Sequence, residues 1–206
     1  MAKKKLGIGV IGCGRVAPYH FSAIKAIDEC ELVAVCDGDK ERLEEAGGKQ
    51  KVKTYDDYGK MLKDKNVDVV SICTPHGSHA EHAIMAAKAG KHIITEKPMA
   101  MTVEDADKMI AEAKKNKVRL FVIKQNRYNP PIVKLKQAVD KGRFGKMVLI
   151  NTTVFWTRPQ DYFDMDKWRG TKSDDGGVLM NQASHHIDLV HWMGGDVESV
   201  FGYGAT

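Results

Sequence analysis

Three short groups of residues in this 206-residue chain have types and spacings that chemistry can use. The first is Gly12-Cys13-Gly14-Arg15-Val16-Ala17, a G-x-G-x-x-A pattern. Glycine at 12 permits a tight turn, glycine at 14 lets a pyrophosphate approach the backbone, and a small residue at 17 allows close helix–strand packing. The phosphates then meet the N-terminus of a helix, whose unpaired N–H groups and dipole favour anions. The second is Glu96-Lys97-Pro98, where an amine of lowered pKa would serve as a general base. The third is Asn181-x-x-x-His185-x-x-Asp188. Spacings of four and three place these side chains on one helical face, with an imidazole that titrates near neutrality. Each group also has a plainer reading: a glycine-rich turn, a solvated lysine, a hydrogen-bonded core histidine.

The elements that must position them decide between these readings. Leu6–Ile11, Leu32–Cys36, Val67–Cys73, His92–Thr95 and Leu120–Ile123 are apolar, β-branched-rich runs of strand length, with a weaker one near Val52. They lack polar alternation and so read as strands buried on both faces. Helical patterns lie between them at Val16–Ile27, Lys40–Ala46, Tyr58–Lys63, His79–Ala89 and Val103–Asn116. Alternation with short connections predicts a doubly wound parallel sheet of Rossmann type. In that frame Gly12 and Gly14 follow the first strand and open the first helix. Asp37 ends the second strand, twenty-three positions after Gly14, where an acid binds the adenosine ribose hydroxyls. An acid there repels a 2′-phosphate, which predicts NAD over NADP, with Lys40 and Arg42 pulling the other way. Thr74-Pro75 and Lys97 fall at strand carboxyl ends, where open α/β sheets bind ligands.

After Lys124 the character of the chain changes. A helix is expected over Ile132–Asp140, a long strand over Met147–Thr157, a polar aromatic loop over Arg158–Asp175, a helix from about Val178 to Met193 and a strand at Val197–Tyr203. The boundary is placed at residue 124. Residues 125–206 read as an incomplete α+β domain with a mainly antiparallel sheet, since two long strands cannot cover themselves.

Composition excludes several classes. Hydrophobic residues make up 43% and charged residues 29%, ordinary values for a globular chain. No apolar run approaches the ~18 residues of a membrane span, and Leu6–Ile11 is too short and glycine-broken for a secretory segment. The net charge of +5 is spread thinly, with no basic run longer than Lys3-Lys4-Lys5, so a nucleic-acid footprint is not expected. Cys13, Cys30, Cys36 and Cys73 form no C-x-x-C pair, which fits reduced thiols in a cytoplasm. His76-x-x-His79-x-x-His82 invites a metal reading, but helical steps leave His76 and His82 about 120° apart, and no metal is expected. Phe155, Trp156, Tyr162, Phe163 and Trp168 read as the walls of a sugar or nucleotide pocket.

Together these motifs resemble the glucose-fructose oxidoreductase, inositol dehydrogenase and MocA (Gfo/Idh/MocA) family along the whole chain. The carriers are Gly12-x-Gly14, Cys73-Thr74-Pro75, Glu96-Lys97-Pro98 and the Gly176-Gly177 to His185-x-x-Asp188 stretch. Within the family, Gln125–Pro130, Phe155–Tyr162, Asp166–Gly170 and Met180–His185 are most similar to UDP-2-acetamido-2-deoxyglucuronate 3-dehydrogenases of surface-polysaccharide synthesis. The resemblance implies Lys97 as the catalytic lysine and His185 as its partner. It implies NAD held by Gly12, Gly14, Arg15, Val16, Asp37, Thr74, Pro75, His79, Glu96, Lys97, Asn126, Trp168 and Arg169. A UDP-sugar would contact Lys97, Tyr128, Arg158, Tyr162, Asn181 and His185, with Asn181 and Asp188 orienting the imidazole. Many sugar-polyol members carry aspartate where Asn181 stands. Family chains continue beyond residue 206 and often form dimers or tetramers, so a homo-oligomer is expected of a longer chain. The alternatives are a dehydrogenase of a free sugar or inositol, and a non-catalytic NAD-binding sensor.

Overall fold

Burial on both faces forces the first half of the chain into layers. The computed structural model describes residues 4–204. Six strands, β1 (Leu6–Ile11), β2 (Cys30–Cys36), β3 (Lys53–Tyr55), β4 (Val69–Ile72), β5 (His92–Thr95) and β6 (Leu120–Val122), form one sheet of order β3-β2-β1-β4-β5-β6. Every neighbouring pair is parallel. The order reverses between β1 and β4, and the crevice outside their carboxyl ends is where such sheets bind ligands. The helices are α1 (Ala17–Lys25), α2 (Lys40–Gln50), α3 (Tyr58–Leu62), α4 (His79–Lys88) and α5 (Val103–Lys115). All six strands and all five helices expected of residues 1–124 form, differing only at their ends.

Two apolar layers cover the sheet. Ile8, Val10, Phe21, Ile24, Leu32 and Val35 pack on one face; Met61, Val70, Ile72, Ala86, Ile93 and Met109 pack on the other. Burying one such large side chain contributes about 1.5–3 kcal/mol. Local signals set the helix starts. Thr102 accepts the Asp105 N–H at 3.1 Å, Asp39 that of Arg42 at 3.2 Å and Asp57 that of Lys60 at 2.7 Å, satisfying donors that a first turn leaves unpaired. Glu104 and Asp105 open α5, and Lys114 and Lys115 close it, as the helix dipole favours.

The second part contains a 3₁₀ turn (Gln125–Tyr128), then α6 (Pro130–Asp140), α7 (Gln160–Asp164), α8 (Gly177–Met180) and α9 (Ser184–Gly194). Two expectations are corrected here. Neither Met147–Thr157 nor Val197–Tyr203 forms a strand, so among the described residues there is no antiparallel second sheet. A strand exists only by pairing, and among the described residues these segments have no partner strand; Val148, Leu149, Phe155, Val200 and Phe201 stay exposed. The single helix expected from Val178 to Met193 is two helices, broken at Asn181–Ala183. The Asn181 carbonyl, which a continuous helix would use, instead accepts from the Ser184 hydroxyl at 2.9 Å and the Lys97 amine at 3.0 Å. Side-chain donors have displaced the helical bond.

Candidate active site

A cleft of about 810 Å³ lies at the carboxyl ends of the strands, within the range of small-molecule sites. One half is built by the turn from β1 into α1. Gly12 has φ +88°, and a Cβ there would sit 2.7 Å from the Cys73 carbonyl; only glycine tolerates both conditions. At Gly14 a Cβ would meet nothing nearer than an Arg42 nitrogen at 3.8 Å, so this backbone faces open cleft. Ala17 is fully buried against the sheet. No side chain caps the start of α1 at Val16. Pro18 has no N–H, and those of Ala17 and Tyr19 donate to the Gly14 and Val16 carbonyls at 3.2 Å and 3.1 Å. A phosphate here would therefore meet the turn before the helix, within reach of the positive end of its dipole. Asp37 lines the same cleft. Its carboxylate accepts the Cys13 N–H at 2.7 Å and the Asp39 N–H at 2.8 Å. These features fit NAD: Gly14, Arg15 and Val16 would hold the pyrophosphate, and Asp37 the adenosine ribose.

The other half centres on Lys97, just after β5. Its Nζ donates to the Asn181 carbonyl at 3.0 Å and to Asn181 Oδ1 at 2.9 Å. The Asn181 amide in turn donates to the buried Asp175 carboxylate, whose second oxygen accepts the Gly170 N–H at 2.9 Å. A carboxylate only accepts, so Asp175 dictates that Asn181 turns its NH₂ inward and its oxygen towards the lysine. Glu96 anchors the neighbouring backbone: it accepts the Lys97 N–H at 3.1 Å and meets His20 Nε2 at 3.1 Å. Burial lowers the pKa of Lys97 below that of a free lysine; Glu96 and Asp175 oppose this, while Lys124 and Arg158 reinforce it. The neutral amine is thereby brought closer to physiological pH.

His185 is buried, and among the described residues its Nδ1 has no partner. Burial, and then the positive charges of Lys97 and Lys124, push its pKa down to about 4, so the imidazole is neutral at pH 7. The expected orientation by Asn181 and Asp188 does not hold. Asn181 is committed to Lys97 and Asp175. Asp188 accepts two 2.7 Å bonds from Arg127, with Lys124 at 3.6 Å, a bidentate pair that takes the carboxylate away from the ring.

Aromatic rings and arginines wall the cleft. The Arg158 guanidinium stacks 4.1 Å over Trp156 and 5.1 Å over Tyr162, and Arg169 lies 4.5 Å over Tyr162 and 4.7 Å over Trp168. Gln182 donates to the Tyr162 hydroxyl at 3.2 Å. The cleft lining therefore includes Gly12, Gly14, Arg15, Val16 and Asp37, then Thr74, Pro75, Glu96 and Lys97, and finally Arg158, Tyr162, Trp168, Arg169 and Asn181.

Four expected contacts are absent from that lining. His79 is fully buried behind it, its two ring nitrogens 2.7 Å and 2.9 Å from the carbonyls of Pro98 and Thr74; it braces the two strand-end turns rather than facing a ligand. Tyr128 is 81% exposed. Asn126 shares its 3₁₀ turn with Gln125, and the turn presents Gln125 to the cleft instead. His185 is buried and does not line the cleft. Sequence reasoning missed His76 and His82, which line the cleft, and Asp175 and Asp166. The Asp174-Asp175 pair before Gly176-Gly177 was the available signal for a buried acid. Among the described residues no group of three His, Cys, Asp or Glu side chains is arranged to hold a metal ion, and no helix is long and apolar enough to cross a membrane.

Two family models match the chain. The family described as "Oxidoreductase family, NAD-binding Rossmann fold" matches residues 6–124, and the "GFO/IDH/MocA C-terminal domain" matches residues 132–206. The crystal structure of the WlbA dehydrogenase from Bordetella pertussis, in complex with NADH and UDP-GlcNAcA, is 42% identical with a TM-score of 0.96, over 100% of this chain and 62% of that one. A WlbA dehydrogenase from Chromobacterium violaceum, with the same two ligands, is 43% identical with a TM-score of 0.90, over 94% and 56%. Myo-inositol 2-dehydrogenase of Thermotoga maritima is 36% identical over 97% of this chain and 58% of its own length. The chain thus spans about three fifths of the relatives it matches.

Proposed function

Because the chain belongs to the Gfo/Idh/MocA oxidoreductase family, we propose that the whole protein is an NAD-dependent dehydrogenase of a UDP-linked sugar. The reaction is oxidation of the 3-hydroxyl of a UDP-2-acetamido uronic acid to the ketone, a step suited to surface-polysaccharide synthesis in the cytoplasm. The observation that carries this reading is the hold of Asn181 on Lys97, in a cleft also lined by Arg158, Tyr162, Trp168 and Arg169. Bound NAD supplies the hydride acceptor. Lys97 supplies the base: its amine, lowered by burial, takes the hydroxyl proton at Nζ, without which the carbon cannot release hydride. His185, the partner of Lys97 that the resemblance implies, is held neutral by burial and by Lys97 and does not line the cleft, so in this reading Lys97 takes the proton alone. Arg158 and Arg169 suit the carboxylate and phosphates, which guanidinium groups bind bidentately. Residues 1–124 supply most of the cofactor site together with the base Lys97, and residues 125–206 supply much of the substrate side, in a homo-oligomer.

The WlbA neighbours crystallised with UDP-GlcNAcA support the nucleotide sugar. The myo-inositol 2-dehydrogenase relative favours a second reading, a free polyol. Absorbance of NADH, followed with UDP-GlcNAcA and with myo-inositol in parallel, separates them. Turnover of the nucleotide sugar is expected. Turnover of inositol alone would establish the second reading, and NAD binding without turnover of either would point to a sensor.

A further inference from the structure

The cleft contains an ion pair that joins its two halves. Arg42, on α2, donates from Nη2 to Asp166 Oδ1 at 2.7 Å, across 124 positions of sequence. The other Asp166 oxygen accepts from Arg169 at 3.2 Å. Both Arg42 and Asp166 line the cleft beside Asp37, and an Arg42 nitrogen lies nearest the open face of Gly14. Arg42 is thus the cation positioned where the adenosine end of a dinucleotide would sit. An arginine at that end is what accommodates a 2′-phosphate.

We propose that Asp166 is a specificity-determining residue that holds Arg42 away from a 2′-phosphate and so adds to the preference for NAD over NADP. The proposal rests on the NAD reading of this cleft. Asp37 repels the extra phosphate directly, and Asp166 acts differently: it occupies the guanidinium nearest the open face of Gly14, which could offset the repulsion. Asp39, whose carboxylate lies 3.9 Å from Arg42 Nε, adds to the negative surroundings. A phosphate entering here must displace Asp166 to pair with Arg42, and like charges brought together are strongly disfavoured.

The test is calorimetric binding of NAD and NADP to four proteins: wild type, Asp166→Asn, Arg42→Gln and the double variant. Asp166→Asn should raise NADP affinity relative to NAD by about fivefold, the scale of one partly exposed charge pair. Arg42→Gln alone should change that ratio less than about twofold, and in the Asp166→Asn background it should cancel the gain. NAD binding with an unchanged ratio in Asp166→Asn overturns the proposal and leaves the NAD reading intact. A fivefold loss of NADP affinity in Arg42→Gln alone also overturns it, because Arg42 would already be free. A wild-type protein that binds neither dinucleotide overturns the NAD reading and this proposal together.

Discussion

Lys97 Nζ donates to both the backbone carbonyl and the side-chain oxygen of Asn181, at 3.0 Å and 2.9 Å, across 84 positions of sequence. Two acceptors on one residue fix the amine without giving it a fixed negative partner. An aspartate at the same place would hold the ammonium as an ion pair and raise its pKa. The amide leaves burial as the largest influence on Lys97.

A base held this way can be removed without disturbing the cofactor site. In the whole protein Lys97→Met should lower kcat by about 10²–10⁴-fold, the usual contribution of general-base catalysis, with NAD affinity within twofold of wild type. Steady-state rates and calorimetry measure the two quantities separately. Wild-type turnover by the variant would exclude Lys97 as the base.

Asp175 acts on the same amine through Asn181. Its negative charge raises the pKa of Lys97, so Asp175→Asn should lower that pKa further and move the acid limb of the kcat/KM profile to lower pH. The same variant removes the acceptor that orients the Asn181 amide, so the maximal rate should fall as well. A fall in rate with no movement of the limb would leave Asp175 a purely structural residue.

The two glycines of the first turn should fail in different ways. Gly12→Ala combines φ +88° with a 2.7 Å approach to Cys73, and should cost at least about 2 kcal/mol in urea unfolding. Gly14→Ala has room for its methyl group and should keep stability within about 1 kcal/mol. Its methyl points into the cleft, so NAD binding should weaken. Equal destabilisation by both would contradict the packing described at Gly12.

Stability should depend on pH through buried histidines. Burial, followed by the charges of His79 and Lys97, lowers the pKa of His76 from 6.5 to about 4, and His185 is lowered to about 4 as well. Between those values the unfolded chain binds protons that the folded chain refuses, so stability rises with pH there. The urea midpoint should therefore drop between pH 7 and pH 5, above the range in which most carboxylates titrate. His76→Gln should flatten part of that drop; an unchanged slope would show that His76 is protonated equally in both states.

What could be read from the sequence was local. Gly12, Gly14 and Asp37 are interpretable together because strand, turn and helix are adjacent in the chain, and buried parallel strands announce themselves as short apolar runs. The Thr102 cap of α5 is equally local, because a cap reaches only three residues along the chain. The tertiary structure decided everything that depends on distant partners. Spacing alone put Asn181, His185 and Asp188 on one helical face. Folding instead gave the Asn181 carbonyl to Ser184 and Lys97, which broke the helix, and gave Asp188 to Arg127. Met147–Thr157 has the composition of a strand, yet strand formation requires a partner that composition does not specify. The Arg42–Asp166 pair has no local signature, because an ion pair across 124 positions exists only once the fold has closed the distance between its charges.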